Sequence, residues 1–275
     1  MKARIPQEVL VAAFACLAVS PALAQVSSEP VSPSTTAPMS TRQHPPMRLV
    51  TDFSDGTVTT ENWSGYAVTG SEFTFAKGSW HVPQVDCTKT PNTYSAFWVG
   101  IDGYSDSTVE QTGTASDCVG TTPNYYAWYE FYPAGSVVIS MPVKPGDVMG
   151  GSVTYSNGEF TIGLHDHTTG AEFSVTKAVS GAKRKSAEWI AEAPCCTSGG
   201  GILPLADFVR ANYGEDNNSD PGTNYATDSA VKDGPISAFG SNVEEITMES
   251  GSLKEAAPTA LSSDGTSFSV YWDAE

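Results

Sequence analysis

From Asn62 onward the chain reads as short runs in which aromatic and β-branched residues alternate with polar ones. A period of two puts successive side chains on opposite faces of a strand, so each run predicts a strand with one face turned inward. The runs are residues 63–69, 73–82, 94–101, 125–133, 147–155, 160–165, 173–179, 188–193, 243–248 and 267–272. Between them stand turn signals such as Ser156-Asn157-Gly158 and Thr168-Thr169-Gly170. No long stretch shows the 3.6-residue period of a helix. Many short strands at even spacing predict an all-β fold, a two-sheet antiparallel β-sandwich. Residues 211–233 are polar and rich in Gly, Asn and Asp, and predict a long excursion or lid.

The pattern before residue 59 is different. Lys2 and Arg4 precede an apolar stretch over residues 9–19, and Ala22-Leu23-Ala24 supplies small residues for a cut before Gln25. Residues 1–24 therefore predict a secretory signal peptide and an extracellular protein. Residues 25–58 are rich in Ser, Thr and Pro, with prolines at 30, 33, 38, 45 and 46 to interrupt regular structure. They predict a leader or propeptide ahead of a sandwich domain at 59–275. Arg42, His44 and Arg48 give that leader positive charge beside an acidic domain, which predicts that it lies across the domain's cleft until acid loosens it.

Composition narrows the function. The 275 residues hold 31 acids and 14 bases, a formal charge of -17, and such a chain repels phosphate backbones. Losing Lys2, Arg4 and Glu8 with the signal makes the exported chain one charge more negative still. Few bases also mean little positive self-repulsion once acid neutralises the carboxylates, which suits an acidic milieu. No apolar run beyond the N-terminus approaches 18 residues, so a membrane-spanning helix is not expected. Cys87, Cys118, Cys195 and Cys196 remain after export, an even number that predicts disulfides with three connectivities open. A Cys87–Cys118 bridge is favoured, because each sits just outside a predicted strand, and it leaves Cys195 and Cys196 as a vicinal pair.

Several chemistries lack their residues. No Asp-Thr-Gly or Asp-Ser-Gly supplies a pair of catalytic aspartates, and no Gly-x-Ser-x-Gly supplies a nucleophile elbow. His165-Asp166-His167 would place two imidazoles on one side of a strand, but without a third ligand nearby it reads as an exposed hairpin end. Carboxylates and amides remain. They occur among aromatics in three segments: residues 96–103 with Gln111 after them, residues 125–133, and residues 187–192. Alternation puts Trp98 with Asp102, Trp128 with Glu130 and Tyr126, and Glu188 with Glu192 on shared faces. A carboxylate among aromatics must be solvated, hydrogen-bonded or functional, and three such segments predict a concave polar site on one sheet.

These stretches resemble the glutamic peptidases, the G1 or eqolisin family. The resemblance rests on Asn62-Trp63-Ser64-Gly65, Trp98-Val99-Gly100-Ile101-Asp102-Gly103, Gln111-Thr112-Gly113, Ala127-Trp128-Tyr129-Glu130 with Tyr132-Pro133, and Ala187-Glu188-Trp189-Ile190, in the family's order. It implies a lectin-like, concanavalin A-like sandwich with a cleft across one curved sheet. It implies a metal-free, cofactor-free acid endopeptidase acting on protein and peptide substrates. A monomer is expected, with neither nucleic acid nor membrane as partner. The family's catalytic Gln falls on Gln111 and its catalytic Glu on Glu188, with Trp63, Trp98, Asp102, Trp128 and Glu130 as cleft residues. Two departures stand out: the 102–111 loop is one residue shorter and lacks a Cys, and Tyr126 replaces an Asp.

On that reading Glu188 takes a proton from water, and Gln111 donates a hydrogen bond to the developing oxyanion. Two rivals share the sandwich. One is a glycoside hydrolase using Glu130 and Glu188, which a retaining mechanism needs about 5 Å apart. The other is a non-catalytic carbohydrate-binding sandwich with solvated carboxylates.

Overall fold

The computed structural model describes residues 42–52, 57–196, 201–214, 223–229 and 233–273. The expected signal peptide and residues 25–41 lie outside the described residues. In chain order the described strands are β1 (Leu49–Asp52), β2 (Thr57–Thr60), β3 (Trp63–Thr69), β4 (Phe75–His81), β5 (Ala96–Ile101) and β6 (Val109–Val119). They continue with β7 (Thr122–Tyr132), β8 (Val137–Ile139), β9 (Val148–Ser156), β10 (Glu159–Asp166), β11 (Ala171–Lys177) and β12 (Ser186–Glu192). The last are β13 (Arg210–Tyr213), β14 (Tyr225–Thr227), β15 (Asp233–Pro235), β16 (Val243–Ser250), β17 (Leu253–Pro258) and β18 (Phe268–Trp272). No helix among the described residues is long and apolar enough to cross a membrane.

The strands form a two-layer antiparallel sandwich. The first layer runs β8-β7-β6-β5-β12-β3-β16-β2-β1, with β16 and β2 its parallel pair. The second runs β11-β10-β9-β4-β13-β18-β17, and the β14–β15 hairpin also pairs on β4. The β16–β17 hairpin carries the chain from one layer to the other. Strand β5 packs on β4 and β9, and β6 on β9 and β10. Between the layers lie Phe97, Val99 and Ile101 of β5, Ala127 and Phe131 of β7, Ala187, Trp189 and Ala191 of β12, and Trp80, Met149 and Ile162 from across the gap. A two-residue hairpin joins β9 to β10 through Asn157 (φ 53°) and Gly158 (φ 88°), since a loop of this kind needs positive φ at both positions.

Several parts differ from the sequence reading. Strand β1 and the first half of β2 fall inside the expected leader; Thr57-Val58-Thr59-Thr60 is a β-branched run that buries Val58 and Thr60 and hides behind prolines and serines. Strand β6 is also unforeseen. Its sequence, Val-Glu-Gln-Thr-Gly-Thr-Ala-Ser-Asp-Cys-Val, carries few large side chains, yet all but its last residue are buried. Part of the expected 211–233 excursion pairs instead as β13, β14 and β15. Both disulfides join the favoured partners, Cys87–Cys118 and Cys195–Cys196.

One polar knot fixes the loop that leads into β12. Asp102 ends β5 with φ 71°, and its carboxylate accepts the backbone N–H groups of Lys183, Arg184 and Lys185 at 2.8, 2.7 and 2.8 Å. Asp106, Glu110 and Glu188 crowd around it. Burial and the Asp102 charge push Asp106 up to about 6, and burial with the charges of Asp102 and Asp106 pushes Glu110 up to about 9.

Two outcomes follow from this architecture. Trp189 is fully buried between the layers and donates its indole N–H to the Lys77 carbonyl at 2.7 Å. Trp189→Ala should cost about 3–5 kcal/mol in denaturant unfolding, and a loss under about 1 kcal/mol would show that the layers are not packed there. The second outcome concerns pH. Glu110 keeps its proton in the folded chain up to about 9 but releases it near 4.5 once unfolded. Between those values the unfolded chain binds fewer protons, so stability is greatest in acid and falls as pH rises, by up to roughly 1.4 kcal/mol per unit for this group. Calorimetry should show the melting temperature dropping from about pH 5 to about pH 8, with a shallower drop in Glu110→Gln. A flat or rising profile in wild type contradicts the assignment.

Candidate active site

The central strands of the first layer show the alternation the sequence predicts. One face of β12, β5 and β7 enters the core between the layers; the other carries Glu188, Ile190 and Glu192 of β12, Ala96, Trp98 and Gly100 of β5, and Tyr126, Trp128 and Glu130 of β7. Register then sets these residues in rows across the sheet. Glu188, Gly100, Gln111 and Glu130 form one row, Ile190, Trp98, Gly113 and Trp128 the next, and Glu192, Ala96, Ala115 and Tyr126 the third. Trp63 of β3 lies beside Glu192 in that third row. Glycines in the middle of two rows leave space for the large neighbours: a Cβ on Gly113 would meet the Phe97 carbonyl at 2.3 Å, and one on Gly100 would meet the Trp98 ring at 3.0 Å.

Residues 42–48 lie across this face, and His44 makes the densest contacts. Its imidazole stacks on Trp128, with ring centroids 3.6 Å apart and planes 6° from parallel. Its Nδ1 is 2.8 Å from Glu192 Oε2, which also accepts the Trp98 indole N–H at 2.9 Å. Trp63 packs edge-on against Trp98 at 4.9 Å. The His44 N–H donates to Glu130 Oε2 at 3.0 Å. The Gln111 amide Nε2 donates to the His44 carbonyl at 2.7 Å and to Glu130 Oε2 at 3.0 Å. Both partners are acceptors, so they fix the Gln111 amide with its NH2 toward the bound carbonyl.

The electrostatics are those of a dry cleft. Glu192 is fully buried, and burial, with the charge of Glu130 added, pushes its carboxyl well above the ordinary range. Burial also raises Glu130, opposed by the hydrogen bonds from His44 and Gln111. Burial and the charge of Arg42 push His44 down. Gln111 Oε1, Glu130 Oε1, Glu192 Oε1 and His44 Nε2 have no hydrogen-bond partner among the described residues.

The expected site residues thus separate. Gln111, Glu130, Trp63, Trp98 and Trp128 come together. Asp102 does not join them; it is the structural anchor of the 183–185 loop. Glu188 shares the first row with Gln111, two strands away across Gly100, which puts no side chain between them, and neither of its carboxyl oxygens has a hydrogen-bond partner among the described residues. Burial, with Asp102, Asp106 and Glu110 adding their charges, pushes it well above the ordinary range. The carboxyl that meets this cluster is Glu192, four residues along the same face. Alternation alone could place both glutamates on that face; it could not say which one the Trp98 indole would hold. His165 and His167 lie side by side, rings 4.2 Å apart, and no group of three metal-ligating side chains occurs among the described residues.

Comparisons with known proteins agree with this geometry. The profile of the Peptidase A4 family matches residues 61–252. Among solved structures, scytalido-glutamic peptidase bound to a transition state analog inhibitor superposes with a TM-score of 0.64 at 23% identity, over 77% of this chain and 98% of that one. SCP-B, a member of the eqolisin family in complex with the tripeptide Ala-Ile-His, gives 0.61 at 22%, over 77% and 98%. Aspergilloglutamic peptidase from Aspergillus niger gives 0.54 at 22%, over 66% and 99%. Curated protein sequences give no match. The likeness of fold, the family profile across most of the sandwich, and a buried Gln–Glu cluster in its cleft lead to one assignment: the chain belongs to the Peptidase A4 family, the G1 glutamic peptidases, and is a peptidase of the glutamic type.

Proposed function

We propose that the chain is an exported acid endopeptidase in which Glu188 is the general base and acid and Gln111 is the oxyanion donor. The observation that carries this reading is the row they share: Glu188 and Gln111 face the cleft on either side of Gly100, which puts no side chain between them. The Gln111 amide already donates to a peptide carbonyl there, that of His44. In its ionised form Glu188 removes a proton from water, whose oxygen bonds to the carbonyl carbon. Gln111 stabilises the oxyanion that forms. The carbon–nitrogen bond then breaks as protonated Glu188 returns the proton to the departing nitrogen, leaving an acid and an amine. Glu130 accepts from Gln111 and so orients its amide. A neutral amide partner, unlike a second carboxylate, does not repel the base.

Glu192, four residues along the same face, holds the Trp98 indole and the His44 ring and lines the cleft. Export rests on the signal sequence of residues 1–24, and peptide substrates on membership of a peptidase family. A monomer that meets neither nucleic acid nor membrane is in keeping with the strongly acidic composition. The glycosidase reading finds no support, because Glu130 is engaged with Gln111 while Glu188 is engulfed among other acids.

Casein hydrolysis at about pH 4, near the reference value of a glutamate, separates the two glutamates. Glu188→Gln should abolish turnover, and Gln111→Ala should lower kcat by about 100- to 1,000-fold. Glu192→Gln, outside the row of Gln111, should be the less severe of the two glutamate variants. A folded Glu188→Gln enzyme with near-normal activity contradicts the assignment.

A further inference from the structure

Strand β12 begins with a polar pair on its cleft side. Ser186 and Glu188 stand two residues apart on that face and are both fully buried. The Ser186 hydroxyl and both Glu188 carboxyl oxygens have no hydrogen-bond partner among the described residues. A buried polar atom left unpaired is costly, so native structures seldom hold one without a role. Successive positions on one face of a strand stand about 7 Å apart, a gap that a glutamate arm and a serine hydroxyl close by rotation about their side-chain bonds. In its row Glu188 lies between Ala67 of β3 and Gly100 of β5, neither of which offers a polar side chain. The next cleft-side residue of β12 is Ile190, which leaves Ser186 as the polar neighbour along the strand. Its backbone is fixed: the Ser186 carbonyl accepts the Asp102 N–H at 3.1 Å, and the three residues before it give their N–H groups to the Asp102 carboxylate.

We propose that Ser186 is a positioning residue for peptide hydrolysis: its hydroxyl donates to one oxygen of the Glu188 carboxylate and leaves the other turned toward Gln111 to take the proton from water. This rests on the assignment of Glu188 as the base above. The charges that bear on Glu188 are acids: Asp102 at the end of β5, Asp106 in the loop beyond it, and Glu110 of β6. Glu244 of β16 shares its row beyond Ala67, and Glu192 stands past Ile190 on its own strand. Burial raises the Glu188 carboxyl, the Ser186 hydroxyl lowers it, and the charges of Asp102, Asp106 and Glu110 raise it again. Ser186 is thus the member of this set that favours the ionised form, which is the form a base needs. When water gives its proton to the free oxygen, Ser186 keeps its own hydrogen. When Glu188 passes that proton to the departing nitrogen, the carboxylate and its bond from Ser186 are restored. The serine neither gains nor loses a proton and acts only through Glu188.

The test follows kcat/KM of the full-length chain on a fluorogenic peptide from about pH 3 to about pH 7, a range that brackets the reference value of a glutamate. Removing a group that favours the ionised carboxylate moves the acid limb of the profile to higher pH. Ser186→Ala should therefore lose about tenfold at about pH 4, the worth of one hydrogen bond to a charged group, and the deficit should shrink as pH rises and Glu188 ionises unaided. Ser186→Thr keeps the hydroxyl and should keep the wild-type limb. Ser186→Val, close to Thr in shape but without the hydroxyl, should show the displaced limb and serves if Ser186→Ala fails to fold. A wild-type limb in the variants that lack the hydroxyl, or a loss of equal size at every pH, overturns the proposal. Glu188→Gln reads the base assignment separately. Near-normal turnover by that variant sinks the base itself, whereas an inert Glu188→Gln beside an unmoved limb in Ser186→Ala sinks the role of Ser186 alone.

Discussion

A strand buried on both faces cannot slip. In β12, β5, β6 and β7 one face packs into the core between the layers and the other lines the cleft. A one-residue shift of any of them would turn Trp189, Phe97 or Phe131 outward and carry Glu192, Trp98 or Glu130 into the apolar core. The core and the site therefore lock the same register. This is why a handful of polar side chains from three strands can converge on one bound residue without any loop to place them, and why the site has the rigidity of the sandwich itself.

The chemistry draws on the same burial. A carboxyl removed from water holds its proton further up the pH scale, and a hydrogen bond given inside a dry cleft is stronger than one made in solvent. Glu188, Glu192 and Glu130 all feel the first effect, and the Gln111 amide supplies the second. Glu188 and Glu192 are equally buried and differ in place: Glu188 lies in the row of Gln111, whereas Glu192 takes the Trp98 indole.

Much of this was legible in the sequence. The period-two runs gave β3 its bounds and located β4, β5, β7, β9, β10, β12 and β16, since large alternating side chains leave a strong signal. The same alternation put Trp98, Trp128, Glu130, Glu188 and Glu192 on cleft-side positions. Strand β6 left no such signal, because between bulky neighbours its Gly113, Ala115 and Ser116 must be small. The choice between Glu188 and Glu192 was hidden for another reason. Both satisfy the alternation, and only the register across β5 and β6, which puts Glu188 in the row of Gln111, distinguishes them. The positive charge of the leader was visible at Arg42, His44 and Arg48, but its seating depends on Asn62, Tyr126 and Asp117, which lie on different strands or loops.

The central claim is that Gln111 and Glu188 face the same carbonyl. The most direct measurement is a crystal structure of the protein grown in acid with a peptide-based transition state analogue. The account predicts that the tetrahedral carbon lies between Gln111 and Glu188, with one oxygen accepting from Gln111 Nε2, another against Glu188, and residues 42–48 displaced. An analogue whose tetrahedral carbon lies against Glu192 and away from Glu188 would contradict it.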